Sequence, residues 1–175
     1  AMTRRIDITG CPLFEPLTLD LLKRTGDSDA LGELSGFLQT YGAAHEAGDP
    51  WAVRMMIDMW GGPGFLATLP EKVQLAMAAM TGLNIQQWKA NFAFAPSLDE
   101  IRAVGVPVSL VHGEVTHPLC KLVNERLHGL LPNSRIIEVE GASHFLIQSH
   151  AEICAGIIIQ DVEASSPETR YSPKP

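Results

Sequence analysis

One histidine stands where a proton carrier would be useful. His144 lies in "EGASHFLIQSH", residues 140–150, just after a β-branched run (Ile136-Ile137-Glu138-Val139) and Gly141. An imidazole changes charge near neutral pH, so at that place it reads in two ways: a hydrogen-bonded surface group, or a general base serving a nucleophile. The other chemically capable side chains are scattered. Cys11, Cys120 and Cys154 form no CxxC pair, and three thiols cannot all pair with one another. Among the six histidines, His112 and His117 are close in sequence but straddle a strand-to-loop transition. The spacing therefore predicts no disulfide framework, no metal site and no cofactor, and the cysteine usage points to a reducing, cytoplasmic setting.

The elements that must carry His144 are legible around it. "VPVSLVHGE" (106–114) is a short apolar run ended by glycine, which suits a buried parallel strand. "PLCKLVNERLHGLLP" places Leu119, Leu122, Val123, Leu127 and Leu130 at helical spacing, with Pro132 closing it. "SRIIEVEG" is a second strand and "HAEICAGIIIQDVEA" a last helix. Strand, helix, strand, histidine loop, helix is the βαβα pattern of an α/β sheet, and the right-handed crossover rule makes the two strands parallel.

Upstream the character differs. Residues 6–14, "IDITGCPLF", read as a short strand interrupted by Gly10 and Pro12, breaks that a central strand tolerates poorly. Leu17, Leu19, Leu21 and Leu22 follow, with a turn at Gly26-Asp27. A helix then begins with Ser28 or Asp29 as its cap and carries Leu31, Leu34, Phe37, Leu38 and Tyr41. Asp49 caps the next, which holds Trp51, Met55, Ile57, Met59 and Trp60 and stops at Gly61-Gly62-Pro63-Gly64. Another starts near Pro70, with Val73, Leu75, Met77 and Met80 as apolar positions and Gly82 as its end; a short one spans 85–92. Ser97 and Glu100 have capping-box spacing. The Met and aromatic residues of this region read first as helix-packing core. The chain thus divides into an N-terminal strand segment (1–16), a helical region (17–105), an α/β piece (106–162) and a flexible Pro-rich tail (163–175).

With 175 residues, 46% hydrophobic and 19% charged, the chain has a globular composition and room for a core. A net charge of −7 argues against a general nucleic-acid binder. No apolar run is long enough to span a membrane, and "AMTRRIDITG" lacks the apolar segment of a signal peptide.

Two stretches, "VPVSLVHGE" and "LHGLLPNSRIIEVEGASHF", together resemble the C-terminal half of the α/β-hydrolase superfamily. That half shows a Pro-led strand ending in Gly-Glu, a helix, "LLP-x-(S/A)-R", a strand, and "GAGH" or "GASH". The helical stretch with "IDMWGGPG" looks like the lid of a bacterial subgroup. The resemblance implies a partial α/β-hydrolase fold, a helical lid region followed by a short parallel βαβα unit, over residues 8–160. It makes His144 the match to the superfamily's catalytic histidine. Many members carry an aspartate where this chain has Thr116, so the acid is expected elsewhere. Glu15 in "LFEP" lies where some members place it and is favoured; Glu114 is the alternative, and Asp58, mid-helix, a weaker one. Trp60, Phe65, Met59 and Phe145 are the expected walls of an apolar acyl pocket.

The superfamily's GxSxG elbow is not in these 175 residues. Ser35 in "GELSGF" sits in a helical pattern, Ser28 in "GDSDA" reads as a cap, and Cys11 in "TGCPLF" has no helix behind it. The expectation is a chain holding the lid, last strands and histidine of a carboxylic ester or related acyl hydrolase, with the nucleophile outside it. A short sheet with an open edge then implies a separate N-terminal half or a homo-oligomer. The small substrate would be apolar and ester-like, with no role for nucleic acid or membrane. The alternative is a non-catalytic binding or self-assembling domain of the same descent.

Overall fold

Strand β2 (Val108–Gly113) is buried along its whole length, Ser109 and His112 included, as a central strand covered on both faces is. The structure, a computed structural model, describes residues 8–165. β1 (Cys11–Phe14) and β3 (Ser134–Val139) flank β2, both parallel to it, in the order β1-β2-β3. Cys11 and Ser134 both stand opposite Val108, so the strands begin level; β1 ends opposite Val111, two residues before the paired ends of β2 and β3 at Gly113 and Val139.

β1 is an edge, which reconciles a proline with a strand. Cys11 and Glu15 donate their N–H groups to Pro107 and Val111. By strand alternation Pro12 then addresses the outer edge, where its missing N–H costs no ladder bond. Of the strand expected over 6–14, residues 8–10 precede β1 without strand structure, and 6–7 lie outside the described residues.

The helices cover the sheet from both sides. Between β1 and β2 run α1 (Leu19–Thr25), α2 (Ser28–Glu46), α3 (Val53–Gly61), α4 (Phe65–Thr68), α5 (Glu71–Ala79), α6 (Thr81–Ala93) and α7 (Leu98–Arg102). α8 (Pro118–His128) joins β2 to β3, and α9 (Leu146–Ser149) and α10 (Ala151–Ser165) follow β3. Val108 and Leu110 face α8 and α1 through Leu119, Val123, Leu127, Leu19 and Leu22. Val111 and Val139 face the other way, onto Leu146, Cys154 and Ile157. Arg135 fastens α10 to the sheet by donating to both Ser109 Oγ and Asp161 Oδ1.

The helical region joins the first of these cores through Leu34, Tyr41, Met56, Trp60 and Trp88. Trp60 and Trp88 stack with ring centroids 5.8 Å apart, fixing α3 against α6. The capping box forms: Ser97 Oγ accepts from Glu100 N–H, and the Glu100 carboxylate accepts from Ser97 N–H. Asp49 accepts from Trp51 N–H in the turn before α3, whose cap position is Ala52, so Asp49 does not cap the helix as expected and Trp51 precedes it.

Several local expectations are corrected. Asp27, not Ser28 or Asp29, occupies the cap position of α2, and its carboxylate does not cap. It takes a bidentate pair from Arg126 of α8 at 2.6 and 2.8 Å, a tertiary bond that outcompetes the local one. Those bonds, with the Thr25 hydroxyl, hold its pKa down at about 2. Gly82 lies inside α6 and does not end α5. A Cβ there would stand 3.3 Å from His45 Nε2, so the glycine lets α6 close on α2. α5 buries none of its residues, and Val73, Leu75 and Met80 are exposed rather than core. One-turn helices α4 and α9 occur where loops were expected. α10 continues to Ser165, past the expected start of the tail at 163; residues 166–175 lie outside the described residues. Among the described residues no helix is long and apolar enough to cross a membrane.

Candidate functional site

Three adjacent parallel strands bring three loops to one end of the sheet, the carboxyl end where open α/β sheets gather their functional groups. Glu15 follows β1, Gly113 to Thr116 close β2, and His144 lies in the loop after β3. Glu15 has φ 47°, a left-handed backbone that a side chain adopts at a cost of about 1 kcal/mol or more. The turn bends its carboxylate inward beneath the neighbouring strand, where only 5% of the residue is exposed.

That carboxylate is held from several sides. Oε1 accepts from Gly113 N–H at 2.9 Å, and Oε2 accepts from Thr116 Oγ1 at 2.8 Å and from His144 Nδ1 at 2.5 Å. Burial alone would raise the Glu15 pKa. The bonds from His144, Gly113 N–H, Cys120 and Thr116 outweigh it and keep the group below its ordinary value, hence ionised at neutral pH. Because Oε2 is the acceptor, the imidazole is the tautomer or cation that carries a proton on Nδ1.

Nε2 is the open side of the ring. Among the described residues no hydrogen bond reaches it, and the side chain is 24% exposed. Trp60 of α3 stacks on one face of the imidazole at 4.6 Å, and Phe145 meets its edge at 5.7 Å. Phe65 stacks on Phe145 at 4.9 Å, carrying the apolar wall outward. Trp60 also touches His117, whose pKa burial pushes down; its Nδ1 accepts from Leu119 N–H, capping α8. Beyond His117 opens a cavity of about 460 Å³, walled by Leu34, Phe37, Met59, Leu119 and Leu122.

The residues singled out from sequence are thus not all gathered. Glu15, His144, Trp60, Phe65 and Phe145 form one cluster, and Met59 lines the adjoining cavity. Glu114 does not touch the ring. Exposed on the far side of the β2 turn, it accepts from Gly141 N–H at 2.8 Å and braces the histidine loop. Asp58 accepts from Leu66 N–H at 2.9 Å and stitches α3 to α4. Ser28 and Ser35 are exposed on α2.

Three contributors escaped the sequence reading. Thr116 registered only as a missing acid, yet its hydroxyl supports the acid that is present. Gly113 registered as a strand terminator, yet a Cβ there would lie 2.1 Å from Ala142 O, so the glycine lets the histidine loop lie against β2. Cys120 registered as a lone thiol; it is fully buried, with Sγ 3.8 Å from His144 Nδ1. Burial, first, and Glu15, second, push its pKa far up, so it rests as a thiol. The expectation of no metal site rested on sequence spacing, and the fold gathers ligand atoms of Glu15, Cys120 and His144 within 4.8 Å of one another.

No protein-family model and no curated protein matches the sequence. Among solved structures, MenH from S. aureus, an α/β-hydrolase-fold enzyme, superposes with a TM-score of 0.61 at 14% identity. The alignment covers 93% of this chain. This is an α/β-hydrolase-like fold. The chain spans 62% of the length of MenH. Within an α/β-hydrolase-like sheet, Glu15, Thr116 and His144 sit on the loops after three adjacent strands.

Proposed function

We propose that Glu15 and His144 are the acid and base of an acyl-hydrolase site whose nucleophile comes from residues outside these 175. The observation that carries this reading is the asymmetry of the imidazole: Nδ1 is held by an ionised, three-donor carboxylate, and Nε2 is open. A base so oriented takes a hydroxyl proton at Nε2 and later returns it to the leaving group. Glu15 meanwhile keeps the tautomer and stabilises the imidazolium. The helical region acts as a lid in this reading, with Trp60, Phe65, Phe145 and Met59 excluding water from an apolar, ester-like substrate.

The test is fluorophosphonate labelling of the protein together with every polypeptide that copurifies, read by intact mass. The expected result is an adduct on a serine outside this sequence, lost with His144→Ala. An adduct within residues 1–175 would overturn the claim of an external nucleophile. Absence of any adduct would favour the second reading, a binding or self-assembling domain without hydrolysis. That reading has its own support in the open edge of β1 and the exposed Ile153, Ile158 and Ile159 on α10.

A further inference from the structure

We propose that Glu15, Cys120 and His144 form a binding site for a thiophilic divalent cation, zinc being the reference ion. The inference goes beyond the hydrolytic reading and does not depend on it. One carboxylate oxygen, one thiol sulfur and one imidazole nitrogen, all within 4.8 Å, are the three donor types that zinc prefers. Tetrahedral zinc, with bonds of about 2.0–2.3 Å, sets its ligand atoms about 3.3–3.6 Å apart. The observed Sγ···Nδ1 separation is 3.8 Å. The Nδ1···Oε2 separation of 2.5 Å must widen, and His144, the least buried of the three, is the group that swings.

The charges balance once an ion is bound. Binding sends the thiol proton to solvent, and the imidazole proton moves from Nδ1 to Nε2, which faces outward. A thiolate, a carboxylate and a neutral imidazole around a doubly charged ion sum to zero, which suits a buried site. Cys120 lies in the first turn of α8, where the helix N-terminus favours the thiolate once the metal has drawn off its proton. Occupancy takes Nδ1 away from Glu15, so the metal-loaded form cannot use His144 as an oriented base.

Cobalt(II) titration of the full chain reads the site directly, through the sulfur-to-cobalt charge-transfer band and the intense visible bands of tetrahedral cobalt. The expected outcome is one equivalent of cobalt, displaced by zinc. The charge-transfer band should vanish in Cys120→Ala and persist in Cys11→Ala and Cys154→Ala. Affinity should fall at least about tenfold in His144→Gln. If Cys120→Ala fails to fold by circular dichroism, Cys120→Ser, which keeps the side-chain shape, takes its place. A wild-type chain with no charge-transfer band, or a band that survives loss of Cys120, would overturn the proposal. Because fluorophosphonate chemistry plays no part in this readout, its failure is distinct from failure of the hydrolase reading.

Discussion

Two carboxylates stand just past the ends of neighbouring strands, and they have opposite fates. Glu15 follows β1 and Glu114 follows β2, and each accepts a backbone N–H from a neighbouring segment: Gly113 at the end of β2 for one, Gly141 in the loop after β3 for the other. Glu15 is nearly buried and collects two more donors, Thr116 and His144; Glu114 is exposed and has none of these. The difference begins in the backbone, since the positive φ at Glu15 turns its side chain under the sheet end. Burial then decides what each bond is worth, because an unmet acceptor costs little in water and much in a dry site. One carboxylate holds the imidazole and the other holds a loop.

That contrast can be broken most severely at the position the two sites share. Gly113→Ala drives a Cβ into the Ala142 carbonyl and separates the β2 end, which donates to Glu15, from the histidine loop. A loss of about 3 kcal/mol or more in urea unfolding is expected, and a loss under about 1 kcal/mol would mean that the loop is not clamped there.

Glu15→Gln comes next. It places an amide donor among three donors, and a loss of about 3 kcal/mol at neutral pH is expected. The sign of the pH dependence follows from the lowered Glu15 pKa. Its contribution is fully present above the unfolded carboxyl pKa of about 4.3 and disappears as pH falls through the lower folded value. The variant should therefore lose most of its deficit in acid; a deficit equal at all pH values would refute the ionised carboxylate. The low-field Nδ1 proton of His144 should also vanish from its nuclear magnetic resonance spectrum.

Thr116→Val keeps the shape and removes one donor from Oε2. A loss of about 1–2 kcal/mol, with an upward move of the Glu15 pKa, is expected, and chemical-shift titration of the labelled Glu15 carboxyl reads it. Glu114→Gln should be the mildest. The amide oxygen still accepts from Gly141 N–H in an exposed setting, so stability should stay within about 0.5 kcal/mol. A large effect there would mean that the two carboxylates differ less than their burial implies.

Much of the scaffold was readable because local chemistry carried it. The apolar run 106–114, the periodic leucines of α8 and the Ser97–Glu100 box each specify their element with neighbours a few residues away. Where the reading failed, a distant partner had intervened. Arg126, 99 positions on, took the Asp27 carboxylate from the helix end. His45 made Gly82 a packing residue rather than a stop. α5 looked like core because it is apolar, yet it lies against α3 and α6 without burying any of its residues.

By itself, the sequence determined that His144 would stand in a loop after a strand of an α/β sheet, because strand and turn preferences act over a few residues. Its resemblance to the α/β hydrolases made Glu15 the favoured acid, with Glu114 as the alternative and Asp58 a weaker one. Tertiary structure alone decided which of them meets the imidazole, and made Thr116, Gly113 and Cys120 its neighbours. Those choices depend on strand register and loop depth. The partners of Glu15 lie 98, 101 and 129 positions away, beyond any pattern that spacing along the chain encodes.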